Sequence, residues 1–116
     1  MNISKELLSE VLGTEIKYFE TDIKKINYHI NSDIKSGNIA YFNIEWKYIN
    51  IYELMHKMKE FILTEQQRMG TYYSTSVQGW CCWLEDGENR GIAKTELEAV
   101  MKACEWVLKQ KVDKNE

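Results

Sequence analysis

The chain has 116 residues, 44% of them hydrophobic and 28% charged, and a formal net charge of −3. That mixture excludes a disordered segment, and the length is enough to close one core without disulfides or metal. The acidic balance argues against bulk nucleic-acid binding, which needs a basic face to displace counterions, and no apolar run approaches the roughly 18 residues of a membrane span.

The N-terminal segment Met1–Glu6 leads straight into an amphipathic pattern, so no signal peptide is expected. Leu7, Leu8, Val11 and Leu12 form one stripe of a helix over about Ser4 to Leu12, and Gly13 suits its left-handed end. Ile16 and Tyr18 then alternate with charged residues. After a turn near Glu20 to Asp22, Ile26, Tyr28 and Ile30 alternate with Lys25, Asn27 and His29, the period of a half-buried strand. Asp33 to Asn38 reads as a turn. The next strand puts Ala40, Phe42, Ile44, Trp46 and Tyr48 on one face, and Asn43, Glu45 and Lys47 on a wet one.

Asn50 and Glu53 make a capping box, with Ile49 and Leu54 as its hydrophobic staple. Ile51, Leu54, Met55, Met58, Phe61 and Ile62 continue that helix to about Gln67. One long strand is expected from Tyr72 to Glu85, with Gly79 as a bulge or close approach. Asp86-Gly87 supplies a hairpin turn, because the glycine adopts positive φ cheaply. Arg90 to Lys94 forms a short strand, and Thr95 with Glu98 caps a final helix whose stripe is Leu97, Val100, Met101, Cys104, Val107 and Leu108. Residues 109–116 are expected to fray. The reading is a single α+β domain over residues 1–116: an antiparallel or mixed sheet of four to five strands covered by three helices, in the order α-ββ(β)-α-ββ-α.

The residues offer little chemistry. Cys81, Cys82 and Cys104 are an odd, partly adjacent set, read as free thiols of a reducing cytosol. Neither His29 nor His56 has metal-ligand spacing, and no phosphate loop or nucleophile elbow is present. No metal, cofactor or catalytic residue is therefore expected. A lone cysteine nucleophile with a distant histidine stays open, against the plain reading of Cys104 as core packing.

Two surfaces invite a binding role. Trp46, Trp83 and the acidic turn residues Glu85, Asp86 and Glu88 form the candidate partner-binding set, because exposed tryptophan anchors interfaces and acidic groups meet basic partners. Arg90, Lys94 and Thr95, at the start of the last helix, form an alternative anion site, with Glu96 and Glu98 competing for the same helix dipole.

The stretch Trp80 to Gln110, a Trp-bearing strand, an acidic Gly-containing hairpin and then T-E-L-E-A-V-M-K-A-C-E-W-V-L, resembles small bacteriophage proteins with an ABA-sandwich domain. I-S-K-E-L-L-S-E-V-L-G and I-N-I-Y-E-L-M-H-K-M-K-E resemble small phage and prophage proteins of low-GC Gram-positive bacteria. The resemblance supplies no catalytic residues. It implies a phage accessory protein in the host cytoplasm that inhibits a bacterial immune protein by direct binding, in the manner of an anti-CRISPR protein on a CRISPR effector nuclease. The alternatives are an oligomeric sponge, such as a homodimer, for a cyclic nucleotide signal, and a structural or regulatory phage component. The last helix also invites comparison with the double-stranded-RNA-binding domain, but T-E-L-E-A is acidic where that pattern carries lysines, which speaks against RNA.

Overall fold

The computed structural model describes residues 3–22, 24–36 and 39–114, the side chains of 31–45 excepted. The element order is α1 (Lys5–Leu12), β1 (Tyr18–Thr21), β2 (Lys25–Ser36), β3 (Ile39–Asn50), α2 (Ile51–Glu65), β4 (Met69–Ser74), β5 (Gly79–Leu84), β6 (Asn89–Ala93) and α3 (Glu96–Lys114). The class is α+β. The strands, however, form two separate antiparallel sheets of three, β1-β2-β3 (sheet A) and β4-β5-β6 (sheet B), not one sheet of four to five. The reason is local. Each run of strands closes on itself through hairpins, and the 15-residue α2 lies between the runs.

The helix ends follow the side chains that cap them. Ser4 Oγ accepts from Leu7 N at 3.0 Å, and its N–H and hydroxyl both donate to the Glu105 carboxylate, at 3.0 and 3.1 Å, tying α1 to α3. Gly13 ends α1 at φ 69°. Asn50 and Glu53 exchange two hydrogen bonds at α2, at 2.9 and 3.0 Å, with Ile49 and Leu54 both buried. Thr95 Oγ1 accepts from Glu98 N at 3.2 Å. Each such cap is worth about 1 kcal/mol. Residues 109–114 remain helical, and Lys111 bridges Glu10 at 2.6 Å and Glu65 at 3.4 Å.

The core is one cluster in which Leu7 and Leu8 of α1, Leu54, Met58, Phe61 and Ile62 of α2, Cys82 and Leu84 of β5, and Ala99, Val100, Ala103, Cys104 and Val107 of α3 meet. Each large side chain contributes about 1.5–3 kcal/mol by leaving water. Helix α3 lies close on sheet B because Gly91 has no side chain: a Cβ there would collide with the Ala99 carbonyl. The expected strand from Tyr72 to Glu85 is broken at residues 75–78, where Gln78 takes φ 53°, so β4 and β5 form a hairpin.

Among the described side chains, sheet A joins this body at its base. Ile16, Ile26 and Ile49 enter the core, and Phe19, Tyr28 and Ile30 pack against it. Residues 33–36, expected in a turn, continue β2 and pair with 39–42. Gly37 and Asn38 lie outside the described residues. Two strands of 12 residues, each about 40 Å long at the usual rise, form a long hairpin. The radius of gyration is accordingly 16.6 Å, against about 13 Å for a compact chain of this length.

Candidate functional site: an aromatic face on sheet A

Register decides which side chains sheet A exposes. Ile26 pairs with Ile49, and both are buried. That pair fixes the parity of both strands at the base. On β2 the even positions Ile26, Tyr28 and Ile30 face the core; on β3 it is Ile49 that does so. The apolar set of β3 is therefore one residue out of phase, and its Trp46 and Tyr48, on the face opposite Ile49, are 58% and 71% exposed. The same parity applies to β1. Phe19, opposite Tyr28, packs inward, and Tyr18, opposite His29, turns outward at 47% exposure.

The outcome is an aromatic cluster on the open face. Tyr18 stacks on His29 with ring centroids 5.5 Å apart, and the Trp46 ring meets His29 edge-on at 4.9 Å and Tyr18 at 6.2 Å. Lys25 Nζ lies 5.6 Å from the Tyr48 ring centroid, within cation–π range. The Tyr18 hydroxyl donates to Glu20 at 2.9 Å, which holds its proton and raises its pKa above the ordinary tyrosine value. His29 Nδ1 is buried among these rings with no hydrogen-bond partner among the described residues. Large, stiff rings with polar tips and an apolar body suit macromolecular recognition.

The other proposed site residues belong elsewhere. Trp83 lies on the outer face of sheet B, half-buried over Gly70, where a Cβ would come within 2.5 Å of its ring. It fills the space that the glycine leaves. The acidic turn is largely internal architecture. Asp86 accepts from Glu88 N at 3.0 Å and from Arg90 at 2.7 Å, and the arginine hydrogen bond is the main reason its carboxyl titrates below the ordinary range. Glu85 accepts from Gln67 N at 2.7 Å, closing the α2–β4 connection onto the hairpin. The Glu88 carboxylate makes no bond among the described residues. Trp46 and Trp83 thus sit on different sheets, and Trp83, opposite Asn89, is the one next to the turn.

The anion set is divided as well. Arg90 is held by Asp86, with its guanidinium 4.3 Å from the Trp106 ring centroid. Lys94 and Thr95 instead line a cleft of about 330 Å³ with Ile51, Tyr52, Met55, Trp80, Glu96 and Leu97. Lys94 makes no ion pair among the described residues. Glu96 is engaged by Lys59 at 3.3 Å and Thr71 at 3.1 Å.

The thiols are not poised to react. Burial pushes Cys82 up to about 11 and Cys104 further still, and Cys104 Sγ donates to the Met58 carbonyl at 3.3 Å. His56 pairs with Glu60 on the exposed side of α2 at 2.8 Å, away from any cysteine. Among the described residues no cluster of histidine, cysteine and carboxylate is arranged for a metal, and no helix is long and apolar enough to cross a membrane.

The sequence reading found Trp46 but missed Tyr18, His29 and Tyr48. The signal for them was the opposite parity of the apolar series in β2 and β3, visible only once Ile26 is paired with Ile49. Comparisons of the chain with protein-family models, with curated proteins and with solved structures find no match.

Proposed function

We propose that the protein acts by binding, with the aromatic face of sheet A as the contact surface for a partner protein. The observation that supports this is the exposure of Tyr18, Trp46 and Tyr48 together on the face of sheet A opposite its buried Ile26–Ile49 pair. A protein of this size stabilises itself by burying such rings, and keeping them in water lowers stability unless another surface covers them. The specific role consistent with the sequence resemblance is phage counter-defence: occlusion of a host immune protein of the CRISPR effector nuclease kind. The test is inhibition of target cleavage by the purified effector. Trp46→Ala should weaken inhibition by more than about 30-fold, the loss of a central aromatic anchor. Glu88→Ala should leave it unchanged. Full inhibition by a Trp46→Ala/Tyr48→Ala protein would overturn the assignment.

A second reading draws on the cleft beside Lys94. Its aromatic and apolar wall, Trp80, Tyr52, Met55 and Leu97, suits a base or ring, and Lys94 and Thr95 could meet its phosphate, with Glu96, engaged by Lys59 and Thr71, in the same lining. Sequestration of a cyclic nucleotide there predicts a rise in thermal stability with ligand, absent in Lys94→Ala. No shift with cyclic mono- or dinucleotides would remove this reading and leave the first intact.

A further inference from the structure

We infer that the cleft beside Lys94 is one lobe of a two-lobed site for a cyclic dinucleotide, whose halves lie on either side of Tyr52. The inference rests on the reading of that cleft as a nucleotide site and extends it along α2. Tyr52 stands 73% exposed in the first turn of α2 and lines two hollows at once. On one side is the cleft of about 330 Å³, walled by Ile51, Met55, Trp80 and Leu97. On the other is a shallow, open hollow of about 490 Å³ on the outer side of α2, lined by Glu53, His56, Lys57 and Glu60. Those four follow Tyr52 at helical spacing and so share one side of the helix. Small-ligand sites run from about 300 to 1,000 Å³. The cleft alone accommodates one ring, and the two hollows together suit a ligand with two.

The charges divide in the same way. Each of the three carboxylates beside the hollows already has an intramolecular partner. Glu53 accepts from Asn50 at 3.0 Å, Glu60 pairs with His56 at 2.8 Å, and Glu96 meets Lys59 at 3.3 Å and Thr71 at 3.1 Å. The two lysines do not: Lys94 in the cleft and Lys57 in the outer hollow make no ion pair among the described residues. Each lobe therefore offers one uncommitted cation, and both share the Tyr52 ring as a stacking wall. The matching ligand has two flat rings and two separated negative charges. A cyclic dinucleotide has that pattern: two bases, and two phosphodiesters set apart across the ring that joins them. Bases stack on aromatic side chains without regard to their identity, and lysine meets phosphate as a point charge. A mononucleotide fills one lobe only.

The test is isothermal titration calorimetry of the whole chain with cyclic di-AMP and cyclic di-GMP, and with cyclic AMP and cyclic GMP as single-base probes. Far-UV circular dichroism shows that each variant is folded. At least one dinucleotide should bind about tenfold or more tightly than its mononucleotide, because its second half is delivered to the outer lobe by the first. Lys57→Ala should weaken that dinucleotide by about tenfold, the loss of one charge-assisted contact, and leave the mononucleotide within about twofold. Lys94→Ala should weaken both. Dinucleotides that bind no more tightly than mononucleotides, or that are indifferent to Lys57→Ala, would overturn the two-lobed site while sparing the cleft as a nucleotide site. Absence of binding by all four probes would overturn both.

Discussion

Sheets A and B have the same strand count and the same antiparallel order, yet they use their side chains in opposite ways. In sheet B the inward positions of neighbouring strands coincide: Met69 opposes Leu84, and Thr71, Cys82 and Gly91 share a row. That face is closed by α2 and α3, and the glycine lets α3 approach. In sheet A the apolar series of β2 and β3 fall on opposite faces, so burying one exposes the other. A hairpin with both faces partly apolar cannot be satisfied by a single helical layer. Sheet B therefore carries stability, and sheet A carries surface.

The comparison makes sharp demands on mutants. The largest expected effect is in sheet B. Leu84→Ala should cost about 3 kcal/mol in urea unfolding, since Leu84 is fully buried in the core. Gly91→Ala should be similarly damaging, by forcing α3 off the sheet. If either variant unfolds at the wild-type midpoint, the helices do not rest on sheet B as described. Next in size is the cap at the junction of sheet A and α2: Asn50→Ala should lose about 1 kcal/mol. In sheet A itself, Trp46→Ala should cost about 1 kcal/mol or less, because only ring contacts in water are lost. A loss comparable to that of Leu84→Ala would mean that the aromatic face is core after all.

Titration separates the regions further. The raised Cys82 and Cys104 thiols favour the fold while neutral. That contribution is complete below the ordinary thiol value of 9.0 and declines as pH rises through about 11 for Cys82. Native protein at neutral pH should accordingly resist thiol alkylation and react only when unfolded; rapid labelling of the native state would contradict the burial. The depressed Asp86 carboxylate works on the acid side. Its contribution is present above the ordinary aspartate value of 3.8 and is lost as pH falls through its lower folded value. Asp86→Asn should flatten that acid limb slightly, the smallest effect in the series.

Much of the fold was legible from individual residues. Asn50 with Glu53, Thr95 with Glu98, Ser4 and Gly13 mark helix ends through bonds confined to one turn, which sequence spacing reports directly. Asp86-Gly87 marks its turn for the same reason, with Gly87 at φ 79°. The break at 75–78 was hidden because Gln78, not glycine, takes the left-handed conformation. The exposed face was hidden more deeply. Period-two alternation shows that a strand has an apolar side, but only its partner's register shows which way that side points. Trp46 was found because tryptophan is informative wherever it occurs; Tyr18 and His29 became part of the surface only through the pairing of β1 with β2. In the acidic turn, what spacing does not report is that Asp86 accepts from Arg90 and Glu85 from the backbone of Gln67.

The proposed division of labour between the sheets is tested most directly by assaying inhibition of a CRISPR effector nuclease, the partner class proposed above, by Trp46→Ala protein whose thermal unfolding matches that of wild type. Lost inhibition at unchanged stability is the predicted result. Inhibition equal to wild type would show that the open aromatic face of sheet A is not the contact surface proposed for it.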